Sequence, residues 1–360
     1  MIDYENLGNL NAPFFEEYKS SFSRTLESGW YILGENVKKF EIDYAQYCGT
    51  NYCIGLASGL DALHLAIRCF DFPSGTEIIV PSNTYIATIL SIVQNGFKPV
   101  LVEPDIKTYN INPTKIEEKI TPNTRAIMLV HLYGKCCDME PILFVAKKYG
   151  LKVIEDCAQS HGSKYKGQIS GSFGDFGAHS FYPTKNLGAL GDAGAATTND
   201  ILLAEKLKAL RNYGSKVRYV NEYVGYNSRL DEMQAGFLSI KLASLNAINE
   251  HKRKLAKLYL DNLNVEFIKP VVDKDYYDVY HIFNIRHAKR DQLKEYLLLH
   301  GIKTEIHYPI APNKQKAMQG IITGNYPVSE EIHNTTLSLP ISFCHTDEEI
   351  YRVIETLNKF

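Results

Sequence analysis

The sequence has no C-x-x-C pair. Its seven cysteines stand at Cys48, Cys53, Cys69, the adjacent Cys136 and Cys137, Cys157 and Cys344. An odd total at these spacings excludes a disulfide framework and the common zinc ligand sets, so buried thiols and no metal are expected. The opening Met1-Ile-Asp-Tyr-Glu-Asn6 has neither the basic nor the apolar part of a secretory leader, and no apolar run approaches the roughly 18 residues of a membrane span. A cytoplasmic protein without membrane contact is therefore expected, and the sequon at Asn334-Thr-Thr336 is a chance match. Charge of neither sign dominates: Lys and Arg total 39, Asp and Glu 41, for a net charge of −2. Scattered basic residues leave no footprint for nucleic acid, although a local site for a small anion does not depend on global charge.

Three nucleotide and hydrolase motifs are also missing. Gly162-Ser-Lys-Tyr-Lys-Gly167-Gln has the glycine spacing of a P-loop without its Lys-Ser/Thr ending. Gly171-Ser-Phe-Gly174-Asp-Phe-Gly177 is not G-x-G-x-x-G, and no G-x-S-x-G occurs. NTPase, Rossmann and serine-hydrolase readings fail on these grounds. No solenoid repeat, low-complexity tract or Pro/Gly/Ser-rich linker is present.

What the chain does have, in 360 residues of which 45% are hydrophobic, is enough material for about two domains. Short β-branched runs at Glu77–Val80, Pro99–Val102, Ala126–His131, Lys152–Glu155 and Ala193–Thr198 predict strands. Helical patterns lie at Leu60–Cys69, Ala87–Gln94, Pro113–Ile120 and Glu140–Tyr149. This alternation predicts an α/β fold with a mostly parallel central sheet covered by helices and ligands gathered at its carboxyl ends. Helices follow at Ile201–Asn212 and from Asp231 towards Tyr259, with a glycine- and tyrosine-rich loop between them. Strands at Val265–Ile268 and His281–Ile285 and helices at Arg290–His300 and Asp347–Asn358 read as a smaller α+β unit. The expected division is a large domain over 1–250 and a small one over 251–360.

The stretch Ser180-Phe-Tyr-Pro-Thr-Lys185-Asn-Leu-Gly-Ala-Leu-Gly-Asp-Ala-Gly194 holds a lysine between aromatics and glycines. An amine that must form an imine has to be kept from bulk water and approached closely by backbone, which such neighbours allow. A surface lysine in a glycine-rich loop is the plainer alternative. Asp156 ends a predicted strand, where a carboxylate caps a helix, holds a metal, or keeps a heterocycle nitrogen protonated; paired with a lysine, the last is the protein's part in pyridoxal phosphate (PLP) chemistry. Ser58-Gly59-Leu60 opens a helix, where free N–H groups favour an anion but an ordinary N-cap also fits. Ser180 offers a second phosphate hydroxyl, and Tyr85 a flat face for a planar ring or simply core packing.

Taken in order, Ser58-Gly59, Tyr85, Asp156-x-x-Gln159, Ser180-x4-Lys185 and Gly225-Tyr-Asn227-Ser-Arg229-Leu-Asp-Glu-Met-Gln234 resemble the sugar-nucleotide aminotransferases, PLP enzymes of the aspartate aminotransferase fold type. The likeness covers nearly the whole chain, with Gly29-Trp-Tyr-Ile-Leu-Gly34 and His307-Tyr-Pro309 as further signatures. It implies that Lys185 forms the Schiff base with PLP, Asp156 holds the pyridinium, Tyr85 stacks on the ring, and Gln159 lies near the ring hydroxyl. Gly59 and Leu60 would bind phosphate through backbone N–H groups, with Ser58 and Ser180 beside them. Asn227 would reach the phosphate of a neighbouring subunit, so a homodimer with shared sites is implied.

Tyr182, His307 and Tyr308 would face the substrate. Phe181-Tyr182-Pro-Thr-Lys185 has Tyr where relatives that aminate C4 often have His, which is similar to the group acting at C3. The implied reaction passes the amino group of L-glutamate to the C3 ketone of a dTDP-linked 3-keto-6-deoxyhexose. UDP-linked 3-keto sugars, C4-keto sugars and a non-catalytic PLP-binding regulator are the alternatives. Dehydratases resembling this family carry His in place of the lysine. Leu60 departs from the Thr of many members, leaving only backbone donors there.

Overall fold

Glu77-Ile-Ile-Val-Pro81 is buried at every position, and its side chains alternate between two apolar layers: Ile78 and Val80 face one, Ile79 the other. A strand covered on both sides reads as a continuous apolar run, as parallel sheets require. The computed structural model describes residues 1–360. Its central sheet contains β1 (Tyr52–Leu56), β2 (Glu77–Pro81), β3 (Lys98–Val102), β4 (Thr124–Val130), β5 (Lys152–Asp156), β6 (Phe176–Ser180) and β7 (Gly194–Thr198). The spatial order is β1-β7-β6-β5-β4-β2-β3. Every pairing is parallel except the two made by β7, which is antiparallel to both β1 and β6.

One face is covered by α2 (Gly59–Arg68), α3 (Ile86–Gln94) and α5 (Ile201–Leu210), which contribute Leu63, Ile67, Ile89, Ile92 and Leu207 to a common core. The opposite face meets α4 (Met139–Tyr149) in one cluster. Beside it, α1 (Glu35–Cys48) and α6 (Glu232–Ala243) form another, with Phe40, Tyr44 and Leu238 against Ala195 and Phe181. The expected α/β architecture is present.

Beyond it, α7 (Leu245–Asn262) carries the chain into a separate core with β8 (Phe283–Arg286), α8 (Arg290–Leu299), β9 (Thr336–Leu339) and α10 (Asp347–Leu357), while α9 (Pro327–Thr335) places Ile332 in a small cluster with Leu132, Tyr133 and Ile282. Strands β8 and β9 form an antiparallel pair. Ile2 joins the same core and bridges to Ile302, so the amino end packs with the carboxyl-terminal unit.

Four local expectations differ from the structure. Pro113–Ile120 forms two short 3-10 turns, Pro113–Lys115 and Glu117–Lys119, rather than one helix. The helix expected from Asp231 to Tyr259 is divided at Ser244 into α6 and α7. Val265–Ile268 forms no strand; Ile268 alone bridges to Arg286. Strands β1 and β6 lie where none was expected, held by pairing on the sheet rather than by their own glycine-bearing sequences. Six cysteines are buried and Cys344 is half-buried, all as free thiols. No helix is long and apolar enough to cross a membrane.

Candidate active site

The carboxyl ends of β1, β2, β5 and β6 bring together segments that are far apart in sequence. Leu56, Gly194 and Ser180 form one row across the sheet, because Gly194 pairs with both of the others. Two glycines make the approach possible. A Cβ on Gly194 would lie 2.3 Å from the carbonyl carbon and oxygen of Ser58, and one on Gly59 would lie 2.4 Å from Ser180 Cβ. Ser58 caps α2, its Oγ accepting from the Asp61 N–H at 3.1 Å. The first-turn N–H groups of Gly59 and Leu60 have no helical partner, and they stand beside Ser180 at the positive end of the helix dipole. This is a seat for an anion.

Asp156 ends β5 and is buried. Its Oδ1 accepts from the Ala158 N–H at 3.1 Å and its Oδ2 from Thr88 Oγ1 at 2.9 Å. The Thr88 hydroxyl has one proton, given to Asp156, so in its 2.7 Å contact with Thr84 Oγ1 it accepts. Burial raises the Asp156 pKa, while these donors and the charge of Lys185 act against it. A cationic N–H placed against Asp156 would hold it ionised.

Lys185 follows β6, half-buried, with its backbone N–H bonded to Tyr182 O at 2.9 Å. Burial pushes its ammonium down to about 8, the Asp156 charge opposing. Part of the amine is thus neutral near physiological pH, which a nucleophile or proton carrier needs.

Gln159 is clamped at both ends. Its Oε1 accepts from the Tyr133 N–H at 2.7 Å, and its Nε2 donates to Tyr308 Oη at 2.8 Å. Tyr308 in turn lies against Tyr85, with ring centroids 5.0 Å apart. His307 Nδ1 meets Ser338 Oγ at 2.9 Å, and its carbonyl accepts from Tyr133 Oη. Burial lowers the His307 pKa to about 4, so the imidazole is neutral at pH 7. Tyr85 and Tyr182 are exposed at 53% and 52%, standing at the rim rather than in the core.

Asn227 is not brought into this group within one chain. It is exposed, its backbone bridged to Asn212. Its neighbour Ser228 is buried, donating to Asp61 Oδ2 at 2.8 Å and accepting from the Ala57 N–H at 3.2 Å. Thr88 and Tyr133 have no local signal in the sequence; they are found only through contact with Asp156, read from its strand-end position, and Gln159, implied by the resemblance.

Glu155, one residue before Asp156, points to the other face of the sheet. Its carboxylate accepts from the N–H groups of Gly171, Phe173 and Gly174 at 2.7, 2.8 and 2.8 Å and from His131 Nε2 at 2.8 Å. His131 Nδ1 accepts from the Cys137 N–H at 2.9 Å, so Nε2 carries the proton. The His131–Glu155–Cys157 cluster, compact enough for an ion, therefore has its imidazole and carboxylate already engaged. The Gly171–Gly174 segment is a backbone cradle for a carboxylate rather than a nucleotide loop.

A lysine, a buried carboxylate and an anion seat thus stand together at the carboxyl edge of a mostly parallel sheet. The chain belongs to the DegT/DnrJ/EryC1/StrS aminotransferase family, whose sequence model matches residues 15–358. It is 55% identical, over 100% of its own length and 99% of the relative's, to a dTDP-3-amino-3,6-dideoxy-alpha-D-galactopyranose transaminase of Aneurinibacillus thermoaerophilus. The structure of Streptomyces venezuelae DesV in complex with a ketimine intermediate superposes with a TM-score of 0.96 at 41% identity, covering 98% of this chain and 96% of that one. NtdA of Bacillus subtilis with bound cofactor PMP superposes at 0.91 and 30% identity, covering 98% and 83%.

Proposed function

We propose that this protein transfers the amino group of L-glutamate to the C3 ketone of a dTDP-linked 3-keto-6-deoxyhexose, giving the 3-amino-3,6-dideoxy sugar of galacto configuration, in the cytoplasm and as a homodimer. The observation that carries the reading is the convergence of Lys185 and Asp156 beside the Ser58–Gly59–Ser180 seat. The 55% identical transaminase supports the choice of nucleotide, carbon and epimer.

The residues present fit PLP. The Gly59 approach that a Cβ would close leaves room for phosphate at Ser58, Gly59, Leu60 and Ser180. Asp156 provides the carboxylate for a ring nitrogen, Gln159 a fixed amide near the ring, and Tyr85 an aromatic face. When bound there, PLP supplies an electron sink for the carbon that loses a proton and a carrier for the amino group.

The protein's own work is orientation and proton movement. Lys185 Nζ accepts the proton from the α-carbon of glutamate and returns protons in the second half-reaction, where the sugar carbon gains one. Asp156, oriented by its bonds from Thr88 and Ala158, would face a positive charge that holds it ionised. His307 and Tyr308 face the substrate side, with His307 neutral and available as a hydrogen-bond partner. Tyr182 contacts the sugar from the rim.

Incubation with L-glutamate and each C4 epimer of the dTDP-3-keto-6-deoxy sugar, followed by NMR, tests the reading. The galacto epimer is expected to gain nitrogen at C3. Amination of the other epimer alone, amination of a dTDP-4-keto-6-deoxy sugar in place of both, or no amination of either epimer by a protein that carries PLP, would reject it.

A further inference from the structure

Three buried side chains behind Lys185 form a network that neither the cofactor nor the substrate assignment uses. Lys252, on α7, is 4% exposed; its Nζ donates to Asn186 Oδ1 at 3.0 Å and to His281 O at 3.1 Å. Asn186, the residue after Lys185, donates from Nδ2 to Asn249 Oδ1 at 2.8 Å and to Val279 O at 3.1 Å. Asn249, one turn before Lys252 on the same helix face, donates from Nδ2 to His161 O at 2.9 Å.

The network has a single polarity. Val279 O and His161 O can only accept, so they hold the NH2 groups of Asn186 and Asn249, and Lys252, which can only donate, meets the oxygen of Asn186. With an apolar side chain in place of the ammonium, the amides keep their orientation through these carbonyls, but Asn186 Oδ1 and His281 O lose their donor and α7 loses its tie to the residue after Lys185. Three segments are tied by it: the loop after Gln159 through His161, the Lys185 segment through Asn186, and the segment 279–281 leading into β8.

We infer that Lys252, through Asn186 and Asn249, is a positioning residue that sets the backbone at Lys185 for reaction with PLP. No carboxylate is in contact with Lys252; Glu5 acts on it only at a distance, and burial pushes its ammonium down to about 8. A buried ammonium without a contacting counter-ion is a poor device for stability, and an apolar side chain of similar volume would serve packing as well. What only this side chain supplies is a donor shared by Asn186 Oδ1 and the His281 carbonyl, which ties α7 to the residue after Lys185.

The inference rests on the reading of Lys185 as the PLP lysine. Cofactor-free protein is mixed with PLP, and borohydride fixes the pyridoxyl label at Lys185 at timed intervals. Lys252→Met is expected to melt somewhat below the wild-type temperature, since two buried acceptors lose their donor, and its folded fraction to take up label about 10-fold more slowly. Its kcat should fall by a similar factor while KM for L-glutamate stays within about 2-fold, as expected when placement of a reacting group is lost. Asn249→Ala keeps the cation and breaks the chain one link on; it is expected to slow labelling about 3-fold or more, and the double variant to be no slower than Lys252→Met alone. Labelling at the wild-type rate in folded Lys252→Met overturns the inference, as does a fall in melting temperature with unchanged labelling of the folded fraction. Should Lys252→Met not accumulate, wild-type labelling of Asn249→Ala overturns it. A wild-type protein that takes no label at Lys185 instead removes the PLP reading itself.

Discussion

At Lys185 the deciding quantity is the fraction of amine that is neutral. With a pKa near 8 about one quarter is neutral at pH 7.5, against about one in a thousand at the ordinary lysine value of 10.5. Because the neutral amine is the nucleophile, the rate of PLP uptake by cofactor-free protein should rise with pH and level off, with a midpoint near 8. Stopped-flow absorbance across pH 6.5–10 reads this, and a midpoint near 10.5 would mean that burial does not act on the amine. Lys185→Ala should take up no borohydride-fixed label at any pH.

Asp156 is tested by two changes of different severity. Asp156→Asn removes the anion and should lower the rate of the glutamate half-reaction by about 10² or more, since general acid–base steps of this kind are worth about 10² to 10⁴. Thr88→Val keeps the carboxylate but removes one of its donors. A fall of about 5- to 30-fold is expected there, with PLP still bound, from the roughly 1 to 2 kcal/mol carried by one such hydrogen bond. The sequence made Asp156 legible by its strand-end position; Thr88 was not legible, because 68 residues separate the pair and nothing in Ile86–Gln94 marks one threonine of a helix as facing a carboxylate.

At the scale of elements, the anion seat depends on α2 and β6 meeting without a side chain between them. Gly59→Ala would place Cβ 2.4 Å from Ser180 Cβ and 2.9 Å from Ser180 Cα, and the second contact is to backbone, which no rotamer relieves. The end of β6 and the start of α2 must separate. We expect a loss of about 1–3 kcal/mol in stability and a PLP affinity weakened about 10-fold or more, both readable from melting curves with and without PLP. Unchanged affinity would show that the seat tolerates the separation.

The same close approaches explain which elements the sequence hides. β2, β4 and β5 are apolar on both faces and were legible as strands. β1 and β6 contain Gly55 and Gly177, which weaken a strand pattern, yet each glycine is there for a crossing. A Cβ on Gly55 would meet Leu230 Cβ at 2.8 Å, and one on Gly177 would meet Gly171 Cα at 2.4 Å. A residue chosen for what passes over it carries no local signal of its strand. The break at Ser244 was hidden for a different reason: apolar helical periodicity continues across it, and the change is one of direction between two cores.

At the scale of the whole molecule the open question is whose cofactor Asn227 serves. Within the chain, Tyr226 Oη meets His64 Nε2 at 3.1 Å and Ser228 is bonded to Asp61 and Ala57, so this segment is fastened to the protein's own α2 while Asn227 stays exposed. The loop before it exposes Tyr219 at 85% and Val224 at 82%, a surface suited to a second copy. Mixing two inactive variants separates the possibilities. In a heterodimer of Lys185→Ala with Asn227→Ala, sharing across the interface places both lesions in one site and leaves the other with an intact lysine and an intact asparagine. Random pairing makes about half the dimers mixed, so a shared site restores about one quarter of wild-type activity when PLP is limiting. If Asn227 serves its own subunit, both sites of every mixed dimer carry a lesion and activity stays at the level of the parents. Subunit exchange verified by a tag on one variant, followed by glutamate half-reaction amplitudes, tests the proposed homodimer and whether each of its subunits completes the other's site.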